Sequence, residues 1–421
     1  MNRTRPGGGL TNFSEVWEVR PITENEADLF RARLSRGFGG DADADDGAAE
    51  RFRELFDLER SVAAFDEGDI VGTGGAFPFE ITVPGGTTTP MGGTTIITVQ
   101  PTHRRRGVLT EMMNRHLDDV HSRGEPIAVL WSSESSIYGR FGYGLATQRH
   151  KVTMSAPDIE LTSPQHRGRV RLLDADDAMP ILVDVYERAR TEVSGMLSRS
   201  EAWWRLRRMR DDDSIRGGRS ARRYAVYEED GSPAGYATFR QKEKWEEFPE
   251  GEIQVIEVIA NTAGAHRGLW SFLVNIDLYP SVDWWNAPVD DPLPFHVADS
   301  RRVRRELFDA LWVRLIDIPK ALESRSYEFD GSVVMGVDDG FRPENTGSYR
   351  LTVEGGVAGC ARVGDEPDLS CDVDVLGHLY LGGGDALAMA HANRITGDPE
   401  AIRVMQTMFK TDRAPWCPEV F

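Results

Sequence analysis

Three consecutive arginines, Arg104, Arg105 and Arg106, stand directly before Gly107, and a cluster of that kind can hold an anion. The flanking residues say what sort of anion. Ile96, Ile97 and Val99 form a β-branched run of strand composition, which Pro101 ends by removing a backbone donor. After Gly107 the apolar residues Val108, Met112, Met113 and Leu117 recur at helical intervals. A strand, a turn containing glycine and a helix start together present free N–H groups and the positive end of a helix dipole. The natural ligand is a pyrophosphate. The spacing lacks the Lys-Ser/Thr of a P-loop and the three glycines of a dinucleotide fingerprint.

Arg104, Gly107 and Leu109 fall on the key positions of the pattern Gln/Arg-x-x-Gly-x-Gly/Ala. In this the stretch resembles the acetyl-CoA loop of the GNAT N-acetyltransferases, with Leu109 departing from the usual small residue. The resemblance implies that Arg104, Arg105, Arg106, Gly107, Val108, Leu109 and Thr110 bind the cosubstrate. It further implies that backbone groups near Ile97, Thr98 and Val99 bind the pantetheine arm and polarise the thioester carbonyl.

A second group able to do chemistry lies in SSESSIYGRFGYGLAT, Ser132–Thr147. A phenol of pKa near 10 can protonate a thiolate of pKa near 8.5 when the two are held in contact. Tyr138 and Tyr143 meet that demand equally on chemical grounds. The peptide IYGRFGYG, taken with PTHRRRG, resembles one GNAT branch, the enhanced-intracellular-survival (Eis) acetyltransferases, and the similarity continues to the end of the chain. It implies that Tyr138 is the general acid and that Ser133 and Glu134 flank the cofactor. It also implies that the terminal Phe421 sends its α-carboxylate into the active site to orient the substrate and finally act as base. The cysteines Cys360, Cys371 and Cys417 all lie in the last quarter, so the first domain offers no thiol for an acetyl relay and the amine attacks acetyl-CoA directly.

Around these groups WEVRPI reads as a first strand and NEADLFRARLSRGF as a helix entered from Thr23 or Asn25. Asp41–Asp46 is an acidic loop. SVAAFD and IVGTGGAFPFEITV are expected to be antiparallel strands joined at Glu67-Gly68, PGGTTTPMGG the turn before the central strand, and PIAVLWS a buried fifth strand. RVRLLDADDAMPILVDVYERAR gives a strand and a helix, and a hairpin follows around Glu229–Ser232. GEIQVIEVIANTAGAHRGLWSFLVNI then repeats the strand, turn, Gly268 and helix order with only Arg267 left ahead of the glycine, a repeat that keeps the fold and loses the cofactor site. Trp284, Trp285, Pro288, Pro292 and Pro294 read as a boundary loop. A third unit is predicted to open at Leu311 with a strand and a helix from Pro319. The strands GSVVMGV, SYRLTVEG, GVAGCARV and LSCDVDV and three helices, Asp374–Tyr380, Asp385–Arg394 and Pro399–Lys410, follow. This layer resembles the sterol-carrier-like domain that closes Eis proteins.

The fold class is therefore α/β (α+β): tandem GNAT folds, the second degenerate, then a sterol-carrier-like α+β domain. The bounds are 1–16 for a disordered tail, 17–160 for the catalytic domain, 165–305 for the degenerate repeat and 306–421 for the C-terminal domain. No apolar run has the length of a membrane span or a secretory signal. The net charge of -19 argues against nucleic acid and suits a polycation, although five lysines against forty-four arginines also fit a high-GC or salty source. Three cysteines without zinc spacing predict reduced thiols in a cytoplasm. The nine histidines form no HExxH pair, so no metal is expected, and His103 is expected to face phosphate or solvent. The charge runs DADADD and RMRDDD read as solvated loops. The resemblance implies acetyl-CoA as donor, a small aminoglycoside- or polyamine-like amine as acceptor and a homohexamer. A protein-lysine acetyltransferase and a non-catalytic CoA- or lipid-binding protein are the alternatives.

Overall fold

A computed structural model of the chain describes residues 17–40, 47–162 and 167–421. The glycine-rich start and the acidic run Asp41–Asp46 lie outside the described residues. The chain divides into two compact units, one of residues up to Ala76 with Thr94–Asp119, the other of Phe77–Gly93 with Val120–Phe421.

The first unit holds β1 (Glu18–Arg20), α1 (Ala27–Gly37), α2 (Ala48–Leu55), β2 (Ala63–Asp66), the start of β3 (Asp69–Thr82), the end of β4 (Thr88–Val99) and most of α3 (Val108–Ser122). Glu67 and Gly68 turn the chain from β2 into β3 with φ of 49° and 84°, the left-handed pair that a tight hairpin requires. Strand alternation then sorts the core. Ala63, Phe65 and Ile70 pack with Ala27 and Phe30 of α1, whereas Val62, Ala64 and Val71 pack with Val108 and Met112 of α3.

In the second unit β4 begins at Thr88, so most of the PGGTTTPMGG stretch expected as a turn is strand. The turn itself is confined to Gly85 and Gly86, at φ of 95° and 80°. Gly92 and Gly93 serve close approach: a Cβ on Gly93 would lie 2.8 Å from the Phe79 ring, and one on Gly92 2.6 Å from Val120. β5 (Ile127–Trp131) runs parallel to β4 from Met91↔Ile127 to Gly93↔Val129. Beyond it come α4 (Ser135–Tyr138), β6 (Gly144–Leu145) and β7 (Gln148–Ser155).

The second repeat contains β8 (Arg169–Leu173), α5 (Ala175–Arg190), α6 (Glu201–Trp203) with a π turn over Trp204–Arg208, α7 (Asp213–Arg216), β9 (Arg223–Glu229), β10 (Ser232–Lys242), β11 (Glu252–Ala260), α8 (Ala263–Val274), β12 (Ser281–Ala287) and β13 (Arg304–Asp309). Its sheet runs β13-β7-β12-β11-β10-β9-β8. The tryptophans read as a boundary loop are therefore strand: Trp284 is buried in β12, parallel to Val255. Gly268 lies inside α8 rather than in a turn, where a Cβ would meet Tyr227 at 2.2 Å. Thr262 caps that helix and also donates to the Glu229 carboxylate at 2.9 Å, and a Cβ on Gly264 would lie 2.5 Å from the same carboxylate. The chain's own anion thus sits at the N-terminus of this helix.

β14 (Leu311–Leu315), the strand expected to open the third unit, instead pairs antiparallel with β5 from Leu311↔Trp131 to Leu315↔Ile127. β5 is apolar throughout, and such a run carries no signal for which strand lies beside it. α9 (Ile318–Glu323) then leads into a five-stranded sheet made of β15 (Gly331–Asp338), β16 (Gly347–Glu354), β17 (Val357–Val363), β18 (Leu369–Asp372) and β19 (Ile395–Gly397). α10 (Val373–Leu379), α11 (Ala386–His391) and α12 (Pro399–Phe409) complete this layer.

Candidate active site

The groups predicted to handle the cosubstrate divide between the two units. In the first, β4 carries Ile96 at φ 52°, a left-handed conformation that strains a β-branched residue by about 1–3 kcal/mol. Thr98 holds the strand in place, its Oγ1 2.8 Å from Thr73 Oγ1. Beyond β4 the backbone folds around Arg105 at φ 63° and Gly107 at φ 88°, and nothing lies within 4 Å of where a Gly107 Cβ would stand. Arg104, Arg105, Arg106 and Gly107 are exposed. Glu111 N donates to Gly107 O at 3.1 Å, so the amides of Val108, Leu109 and Thr110 precede any intrahelical acceptor and point outward from the first turn.

Two side chains support this loop, Trp17, to which the sequence assigned no role there, and His103. Trp17 Nε1 donates to Arg106 O at 3.1 Å while the Arg106 guanidinium lies over its ring at 4.8 Å. His103, expected to face phosphate or solvent, instead pairs through Nε2 with Asp66 at 2.9 Å. A carboxylate within reach in the folded chain decides its direction. Arg104 Nε donates to Val99 O at 3.2 Å and ties the loop back to the strand.

In the second unit Tyr138 ends α4 with 7% of its surface exposed, and Ser133 and Glu134 are exposed just before it. Burial, with a smaller contribution from Glu134, pushes the Tyr138 phenol up to about 12. Tyr143 is wholly buried, its ring edge-on to that of Tyr138 at 5.9 Å. The C-terminal layer holds this loop from behind. His378 bonds Leu145 O through Nδ1, Phe341 meets Phe141 at 4.9 Å, and a Cβ on Gly144 would fall 1.8 Å from Asp374 O.

The end of the chain is anchored along its length within the same unit. Trp416 N donates to Ser194 O at 2.8 Å, Asn286 Nδ2 to Cys417 O at 3.0 Å, Trp203 Nε1 to Glu419 Oε2 at 2.9 Å and Arg207 to Val420 O at 3.1 Å. The Phe421 ring then packs on Phe79 at 5.2 Å, and a Cβ on Gly93 would approach it to 3.2 Å. Gly93 is the last residue of β4 paired with β5. The RMRDDD run, read as a solvated loop, contributes Arg208 to a buried cluster, 2.8 Å from Glu257, and Asp211 accepts from Arg222 N at 2.8 Å. Burial raises the Glu257 carboxyl, but Arg199 and Arg208 outweigh it and hold the group at about 2.

An acetyltransferase (GNAT) domain matches residues 18–146, a second acetyltransferase (GNAT) domain residues 195–315 and a sterol carrier protein domain residues 318–418. N-acetyltransferase Eis of Mycobacterium tuberculosis is 32% identical over 82% of this chain and 84% of its own length. The chain belongs to the Eis family of N-acetyltransferases. An uncharacterized N-acetyltransferase of Streptomyces avermitilis is 40% identical over 96% of this chain and 99% of its own. The solved structure of Eis1 from Mycobacterium abscessus is 32% identical, covers 96% of this chain and 100% of its own, and superposes with a TM-score of 0.83. A GCN5-related N-acetyltransferase from Anabaena variabilis shares the fold at 19% identity and the same TM-score of 0.83. In this Eis-family enzyme two GNAT domains precede the sterol-carrier layer, as the sequence predicts. Among the described residues no cluster of three His, Cys, Asp or Glu side chains is arranged to hold a metal, and no helix is long and apolar enough to cross a membrane.

Proposed function

We propose that the enzyme transfers an acetyl group from acetyl-CoA to a primary amine of a small polycation, aminoglycoside- or polyamine-like, by direct attack in a ternary complex. The observation that carries this reading is the seat of the chain end, with Phe421 on Phe79 and against Gly93, where the β4–β5 ladder stops. A terminus anchored in this way supports a role in the site, since chain ends ordinarily fray.

Arg104, Arg105 and Arg106 with the amides of Val108, Leu109 and Thr110 bind the pyrophosphate, Gly107 lets the backbone approach it, and Ser133 and Glu134 flank the cofactor. Backbone groups of Ile97, Thr98 and Val99 hold the pantetheine arm. The amine attacks the thioester carbonyl, the C–S bond breaks, and Tyr138 donates its proton to the departing sulfur. The Phe421 carboxylate pairs with the cationic acceptor and relays its proton. An α-carboxyl near 3.5 lies about seven units, about 9 kcal/mol, below an alkylammonium, so this transfer runs through water. A catalytic domain over 17–160, a degenerate repeat over 165–305 and a closing domain over 306–421 belong to the same proposal, as do a cytoplasmic location and a hexamer, which the family resemblance alone carries.

The test is release of CoA thiol from acetyl-CoA by protein with its native C-terminus, with spermine, tobramycin and a lysine peptide as acceptors. Turnover with spermine or tobramycin and none with the peptide is expected. Turnover with the peptide alone would overturn the small-polycation reading in favour of protein acetylation.

A further inference from the structure

Four ionised side chains meet inside the second repeat. Arg199 and Glu257 are each almost fully buried, Arg208 is 16% exposed, and all three belong to the repeat, from the segment before α6, from β11 and from the π turn. The fourth is Glu419, 1% exposed, from the tail. Arg199 donates to both carboxylates, Arg208 lies 2.8 Å from Glu257, Tyr236 donates to Glu257 at 2.6 Å and Trp203 to Glu419 at 2.9 Å. Arg199 further stacks on Tyr186 at 3.5 Å and Trp204 at 4.5 Å.

With Glu419 in place the cluster is neutral. Without it two arginines face one carboxylate in an apolar surround, and an unbalanced buried charge is costly. The second repeat is thus electrostatically incomplete until the tail docks. Apolar residues at both 199 and 419 would pack at lower desolvation cost, whereas a carboxylate fixed by Arg199 and Trp203 sets position and register. Phe421 lies two residues further on. Trp203 also touches the aromatic residues beneath the chain end, with its ring 4.9 Å from that of Phe79. The π turn that delivers Arg208 is a form that recurs at functional sites.

We propose that the second repeat, having lost its own cofactor loop, works as a receptor for the chain's end, and that Glu419 is a positioning residue that registers Phe421 through Arg199 and Trp203. The proposal rests on the reading that the Phe421 carboxylate orients the acceptor. Glu419→Gln is compared with the parent and with a chain extended by a few residues past Phe421. Carboxypeptidase is expected to release phenylalanine from Glu419→Gln about tenfold faster than from the parent. The KM for spermine is expected to rise about tenfold while the KM for acetyl-CoA holds within about twofold, a split that general destabilisation would not produce. Parent-like release together with a parent-like spermine KM would overturn the receptor role. Unchanged activity of the extended chain would instead overturn the reading of Phe421, and the release rate would still decide the docking. Should Glu419→Gln not fold, Arg199→Met with Glu419→Leu removes one cation and one anion, keeps the Arg208 and Glu257 pair, and carries the same release test.

Discussion

Burial moves the Tyr138 phenol away from the thiolate it is proposed to protonate. At about 12 it lies well above a free thiol near 8.5. The consequence is that Tyr138 stays protonated throughout the working range, and the departing sulfur, entering the same apolar surround, has its own affinity for the proton raised. Tyr138→Phe is expected to lower kcat about 100-fold with the KM for acetyl-CoA nearly unchanged, as single-turnover and steady-state kinetics would read. Parent-like turnover would remove the acid role. The residue was legible as a candidate from its type and place, but its preference over Tyr143 came from the resemblance alone. Both are tyrosines five positions apart; in the fold Tyr143 is fully buried with its ring edge-on to that of Tyr138.

β4 is held along its first-unit half by side chains from α3. His116 is 1% exposed, and its Nε2 lies 2.7 Å from Thr94 Oγ1, next to the residue where the β4–β5 ladder stops. Burial lowers the imidazole to about 4, so the folded chain keeps it neutral where the unfolded chain, near 6.5, begins to take up a proton. Stability from this group is therefore fully present above pH 6.5 and is lost as pH falls toward 4. Between pH 7.5 and 5 the parent is expected to lose about 2 kcal/mol more than His116→Gln in urea unfolding, and equal losses would show that His116 is not the buried base. The periodicity of α3 was readable, because Val108, Met112, Met113 and Leu117 follow the helical repeat. That the polar His116 sits in the same buried face was not, since its partner is twenty-two residues away.

Over the whole chain the charge of -19 acts on association rather than on any one contact. Steering by such a field is screened within about 10 Å at 0.1 M salt. The kcat/KM for spermine is expected to fall about tenfold from low to physiological salt, while that for a singly charged amine falls by about twofold or less. Equal salt dependence for the two amines would assign the acidity to the protein's source instead. The second repeat shows the other side of composition. Its sequence still reads as strand and helix, yet Glu229 covers the start of α8 and its buried arginines bind the tail.

By itself the sequence determined the order of domains, the elements with strong period and the loop around Arg104–Gly107, because these depend on neighbours within one or two turns. Side-chain type offered Tyr138 and Tyr143 alike, and the resemblance to Eis proteins singled out Tyr138 and Phe421. Tertiary structure alone decided the pairing of β14 with β5, the strand identity of the Trp284 segment, the turning of His103 onto Asp66 and the burial of Arg208 with Glu257 and Glu419. Each of these joins residues far apart in the chain. Local composition states that a strand is apolar or that a run is charged; the partner that pairs the strand or neutralises the charge is set by which segments the fold brings together.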